Sequence, residues 1–140
     1  MSVEKNLSLL DDMLASYNAR DWGRFRELFA ESALMHEPGM DPYRGREAIL
    51  KSYRGMLSAF PDAHMEKTHA FGQLDWACAM ITAKGTNKGP LPGSGGQSTP
   101  PTNKTIKVEL VTLTKIRDGK IIECHEVFDR LGMLAQLGLG

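Results

Sequence analysis

Two long runs with alternating apolar and polar residues, Thr105 to Ile116 and Lys120 to Asp129, flank Arg117-Asp118-Gly119. No other feature restricts the fold of this chain as much. The tip of a tight hairpin needs positive φ, and Asp-Gly supplies it. The runs are therefore expected to be antiparallel neighbours in a sheet. Two further candidate strands precede them, His64 to Phe71 and Trp76 to Thr86, separated by Gly72-Gln73-Leu74-Asp75.

Before Pro61 the periodicity is helical. Leu7, Leu10, Met13, Leu14 and Tyr17 recur at steps of three and four, the stripe of an amphipathic helix between Glu4 and Arg20. Asp21 can cap a shorter helix in which Trp22, Phe25, Leu28 and Phe29 share a core-facing side. Ala33 to Glu37 reads as a short strand, and Pro38-Gly39 with Asp41-Pro42 then interrupts regular pairing. Gly45 and Arg46 open a third helix with Ile49, Leu50, Tyr53, Met56, Leu57 and Phe60 on its apolar side, ended by Pro61. Leu131 to Leu137 can add a final helical turn stopped by Gly138. Helices followed by strands define an α+β order.

One segment fits neither pattern. Between Gly85 and Asn103 stand five glycines and four prolines, so the segment is expected to be a loop, serving either as a lid or as a passive insertion. A lid would be mobile over Pro90 to Pro100 in the absence of ligand.

At 140 residues the chain is of single-domain size, 1–140. Lys plus Arg and Asp plus Glu number 17 each, so no net field draws nucleic acid or an anionic membrane. Cys78 and Cys124 have no paired spacing, which argues against a disulfide framework and a thiolate zinc site and for a cytoplasmic protein. Met1-Ser2-Val3-Glu4-Lys5 is not a basic cluster followed by an apolar run, so no signal sequence is expected, and no run approaches the roughly 20 apolar residues of a membrane-spanning helix.

Four histidines, His36, His64, His69 and His125, form no helical i, i+4 pair and no Cys/His cluster. No metal site is expected unless strands converge in a way that spacing does not show. His64 and His69, an odd number apart, face opposite ways on a regular strand. On the last strand Glu123, His125, Val127 and Asp129 look one way, and Ile122, Cys124, Glu126 and Phe128 the other. His125 and Asp129 lie about 13 Å apart, too far to bond but able to touch one ligand. Asp129 has two readings, a cap for the Leu131 helix, which position alone favours, or a proton-shuttling carboxyl at a cavity wall.

Several short motifs then accumulate in order: Tyr43-Arg44-Gly45-Arg46-Glu47-Ala48-Ile49, Ala59-Phe60-Pro61-Asp62, Gly85-Thr86, Pro101-Thr102, Asp118-Gly119-Lys120-Ile121, Asp129 and Gln136-Leu137-Gly138. Together they resemble the SnoaL-like polyketide cyclases, among the cone-shaped domains that include nuclear transport factor two and ketosteroid isomerase. The resemblance implies an α+β cone, with a curved antiparallel sheet and three helices of the N-terminal half covering one side around an apolar pocket. It also implies a hydrophobic small-molecule substrate, no cofactor, and a homo-oligomer. In these cyclases the aspartate matching Asp129 is the acid/base of an intramolecular aldol closure. Where the family commonly carries Gly-Thr-His and a tryptophan, this chain has Gly85-Thr86-Asn87 and His125. That makes Asn87 and His125, with His36, the candidate substrate contacts, and His36 and His125 the candidate assistants of Asp129. A left-handed turn is expected at Asn103, where the family has glycine.

The activity implied is aldol cyclisation or isomerisation of a carbonyl compound. The alternatives are a non-catalytic binding module on the same scaffold and epoxide hydration. The latter needs an Asp-Arg-Asp triad, which is not visible in the sequence.

Overall fold

The computed structural model describes residues 2–92 and 97–139. Its elements run α1 (Val3–Ala19), α2 (Trp22–Glu27), β1 (Phe29–His36), β2 (Tyr43–Arg44), α3 (Arg46–Ala59), β3 (His64–Gln73), β4 (Trp76–Thr86), β5 (Leu91–Pro92), β6 (Ser98–Thr99), β7 (Thr105–Arg117), β8 (Lys120–Phe128) and α4 (Arg130–Gln136). Local chemistry accounts for the helix ends. Ser2 accepts the Lys5 amide at the start of α1, and Asp21 accepts the Arg24 amide at the start of α2. Arg20 closes α1 with φ 60°. A left-handed arginine is strained, and its guanidinium offsets this by donating to the carbonyls of Tyr17, Pro61 and Ala63, tying α1 to the chain that follows α3.

Six strands form one sheet in the order β2-β1-β8-β7-β4-β3. The hairpin expected at Asp118-Gly119 is present, with φ of 52° and 73° at its tip and Arg117 paired to Lys120. One pairing departs from a purely antiparallel sheet: β1 runs parallel to β8, with His36 opposite His125. Parallel neighbours need a long crossover, and most of the chain lies between these two.

The concave face of the sheet carries Ala77, Ala79, Ile81, Leu110, Ile116, Ile121 and Cys124, all buried against the stripes of α1 (Leu10, Met13, Leu14, Tyr17) and α3 (Ile49, Leu50, Tyr53). Trp22 and Phe25 join this core, as expected from their spacing. The opposite face leaves Phe71, Met80, Leu113 and Val127 at 40–67% exposure. On β3 the register slips between Lys67 and His69. This bulge reverses the alternation, so His64 and His69 are both solvent-exposed rather than on opposite faces.

The glycine- and proline-rich segment contacts the rest of the domain at several of its described residues. Its strands β5 and β6 pair with each other, and Leu91 is buried against Ala59, Phe60 and Leu137. The tip of the expected lid, 93–96, lies outside the described residues. Asn87, fully buried, clamps the base. Its amide donates to the carbonyls of Ala59 and Gly89, and its side-chain oxygen accepts from the amide and hydroxyl of Thr102. Asn103 adopts φ 61°, the left-handed turn expected there. Asn87→Ala should cost about 2–3 kcal/mol, because it strands a buried donor and buried acceptors together. A shift of the urea midpoint at constant m measures this, and a loss below about 0.5 kcal/mol would show that the clamp does not hold the loop.

Candidate active site

Which side of β8 faces the interior decides the chemistry. Cys124 is buried in the core, while Glu126 and Phe128, in phase with it, line a cavity of about 110 Å³ between the sheet and α3. The wall is mostly apolar, and four methionines contribute to it: Met35, Met56, Met65 and Met133. Polar groups converge on one spot. The Tyr53 hydroxyl, carried inward by α3, donates to the Glu126 carboxylate. Glu37, just past β1, also lines the cavity. Thr112, whose buried hydroxyl has no hydrogen-bond partner among the described residues, borders a small void together with Glu126, Tyr17 and Tyr53.

Loss of hydration raises the pKa of Glu126 to about 7; the Tyr53 hydrogen bond opposes that rise and the Glu37 charge adds to it. Burial likewise pushes the Tyr53 hydroxyl well above its ordinary value and that of Tyr17 to about 12, so both phenols stay protonated donors. A carboxyl that exchanges its proton near neutrality beside a fixed hydroxyl, inside an apolar cavity, is equipped for general acid/base work.

The residues singled out from the sequence lie elsewhere. The chain leaves the sheet after Phe128, so Asp129 no longer follows the strand alternation. It is exposed and accepts the Gly132 amide at 2.8 Å as the N-cap of α4. Asn87 is consumed by the loop clamp described above. His36 and His125 do come together, with rings stacked 4.4 Å apart, but on the side of β8 away from the cavity, where His125 also meets Glu123 at 2.6 Å and lies 6.3 Å from Trp76. None of these four lines the cavity. Sequence spacing puts Tyr53 on the apolar side of the third helix and Glu126 on the Cys124 face of the last strand, but marks neither as part of a site. The available signal was a single carboxylate on a strand face otherwise made of Ile122, Cys124 and Phe128.

A larger concavity, about 570 Å³, lies along α2 and α3, lined by Trp22, Arg26, Glu47, Lys51 and Arg54 among others. It is an open groove whose charged groups are exposed and partly paired with one another, as Arg26 is with Glu47, and screening leaves such groups little effect on pKa or affinity. The smaller interior cavity is therefore the candidate site.

A curved sheet wrapped by helices around an interior cavity defines a cone-shaped α+β domain. The chain belongs to the SnoaL-like polyketide cyclase family, whose pattern it matches over residues 8–137. It is 29% identical over 142 residues to the aklanonic acid methyl ester cyclase DnrD of Streptomyces peucetius, covering 97% of this chain and 92% of that protein. Among solved structures, IdmH from Streptomyces antibioticus, provisionally described as a polyketide cyclase, superposes with a TM-score of 0.78 at 28% identity, covering 94% of this chain and 96% of IdmH. A SnoaL-like protein from Jannaschia sp. CCS1 shares the fold with a TM-score of 0.88 at 19% identity, covering 99% and 94%. Among the described residues no helix is long and apolar enough to cross a membrane.

Proposed function

We propose that this protein is a cofactor-free acid/base enzyme that cyclises a hydrophobic carbonyl compound by intramolecular aldol addition, with Glu126 as the proton shuttle. The observation that carries the reading is the Glu126 carboxyl, hydrogen-bonded to Tyr53 at the wall of an apolar cavity. Ionised Glu126 takes a proton from the carbon next to a carbonyl, and the resulting enolate attacks a second carbonyl carbon of the same molecule. The neutral Glu126 then returns the proton to the new alkoxide, so atoms balance with no co-reactant. Tyr53 fixes the carboxyl, and the walls hold the flexible chain in a reactive fold. Isomerisation by the same shuttle is the neighbouring reaction. A cavity of about 110 Å³ is small for a polycyclic product, and the four methionines are side chains that re-pack readily to enlarge it.

The relative DnrD is named for aklanonic acid methyl ester, which makes that ester the first substrate to try. Conversion should be followed in wild type, Glu126→Gln and Asp129→Asn. The proposal expects loss of turnover in Glu126→Gln and retention in Asp129→Asn. The reverse result would return the acid/base role to Asp129, as the family resemblance implies. Ester that binds tightly but is not converted by wild type would favour the non-catalytic binding module.

A homo-oligomer fits the same reading. The exposed apolar row of Met80, Leu113 and Val127 on the outer sheet face is surface that a second copy would cover. Light scattering on the purified chain should give at least twice the monomer mass; a monomer at micromolar concentration would remove the expectation.

A further inference from the structure

The outer face of the sheet holds a group of side chains that the proposed reaction leaves unused. His36 ends β1, and Glu123 and His125 stand two residues apart on β8. The parallel β1–β8 register sets His36 directly opposite His125, while the pleat puts Glu123 and His125 on one face. One ligand atom from each of the three lies within 4.8 Å of the others. The carboxylate is bonded to the His125 ring, and the His36 ring makes no hydrogen bond among the described residues.

Two imidazoles and one carboxylate form a recognised ligand set for a divalent transition metal, with zinc accepting four ligands in tetrahedral geometry at about 2.0–2.2 Å. Ligand atoms around such an ion stand roughly 3.3 Å apart, so modest side-chain rotation from the present positions suffices. All three residues are half-buried in the single chain, which leaves the outward side of the site open for a fourth ligand. The nearby cation, Lys115, has its ammonium over the Trp76 ring, 5.6 Å from its centroid. We propose that His36, Glu123 and His125 bind one divalent transition-metal ion, zinc being the probe of choice, as a structural clamp between β1 and β8. The site lies behind β8 with respect to the cavity, so the ion takes no part in the chemistry at Glu126.

The test uses the full chain stripped with EDTA and dialysed, titrated with zinc chloride by calorimetry and followed by thermal unfolding. Wild type should bind one zinc per chain and rise in Tm with zinc concentration, because binding to the folded state alone stabilises it. His36→Ala and His125→Ala should each weaken binding at least tenfold and abolish the zinc-dependent rise. Glu123→Gln, which keeps the side-chain shape and removes the anionic ligand, should weaken binding without altering the circular dichroism spectrum. The proposal is overturned if wild type takes up no zinc at micromolar concentrations. It is equally overturned if His36→Ala and His125→Ala retain wild-type affinity, which would place any bound zinc at another site.

Discussion

Glu126→Gln is expected to lower turnover of a cyclisable ester by about two to four orders of magnitude, the usual contribution of a positioned general acid/base, while leaving the fold intact. Glutamine keeps the volume of the side chain and can still accept the Tyr53 hydrogen bond through its carbonyl, so cavity shape is retained and only the exchangeable proton is lost. Stability provides an internal control. In the folded protein burial raises the Glu126 pKa to about 7 from an ordinary value near 4.5. Between these two values the unfolded chain binds fewer protons at this group than the folded one, so wild-type stability falls as pH rises through that window and levels off above it. The full difference corresponds to about 3 kcal/mol. The glutamine variant lacks this penalty and should be the more stable protein at pH 8, with the advantage vanishing near pH 4. An inactive variant that is also less stable at pH 8 would point to misfolding rather than to a missing proton. Undiminished turnover would end the proposal for Glu126.

The parts of this molecule that could be read in the sequence are those set by near neighbours. The Asp118-Gly119 turn, the helix stripes that contain Tyr17 and Tyr53, and the Asp21 cap each depend on residues a few positions apart, and each lies where expected. The site depends on other things. Alternation along the last strand extends only to Phe128, and the phase that Asp129 shares with His125 and Val127 is the outer one; the backbone then turns into α4 with Asp129 as its N-cap, so neither the strand nor the turn brings this carboxyl to the cavity wall. The meeting of His36 with His125 results from parallel pairing of the first strand with the last, which no local pattern encodes. Asn87 was legible as a departure at a pocket-wall position, but not as a clamp, because its partners Ala59 and Thr102 come from separate parts of the chain. Glu126 could have been found from its strand: alternation groups one carboxylate with the apolar Ile122, Cys124 and Phe128, and although a register shift puts Ile121 rather than Ile122 on the core side, a carboxylate on such a face needs a reason.

Phe25→Ala is expected to be among the most destabilising single changes in the core, at about 3–5 kcal/mol. Phe25 is the only buried residue of α2, 1% exposed, and without it this six-residue helix has no other fully buried anchor. Its ring meets Tyr17, Trp22, Phe29 and Tyr53 with centroids 5.0–6.3 Å away, in tilted or edge-on arrangements that add stabilisation beyond area burial. Removing the ring opens a cavity that these larger neighbours can fill only by shifting. The shift connects the core to the chemistry, because Tyr53, held between Phe25 and Tyr17, is the residue that fixes Glu126. Phe25→Leu, which retains much of the volume, should lose less stability and leave a mostly folded protein in which kcat can be measured. In that variant kcat should fall while far-ultraviolet circular dichroism is unchanged, since the carboxyl keeps its proton but loses its fixed orientation. A stability loss below about 1 kcal/mol for Phe25→Ala in urea unfolding would mean that the aromatic cluster tolerates the void. Unaltered kcat in Phe25→Leu would mean that Tyr53 is positioned without the cluster.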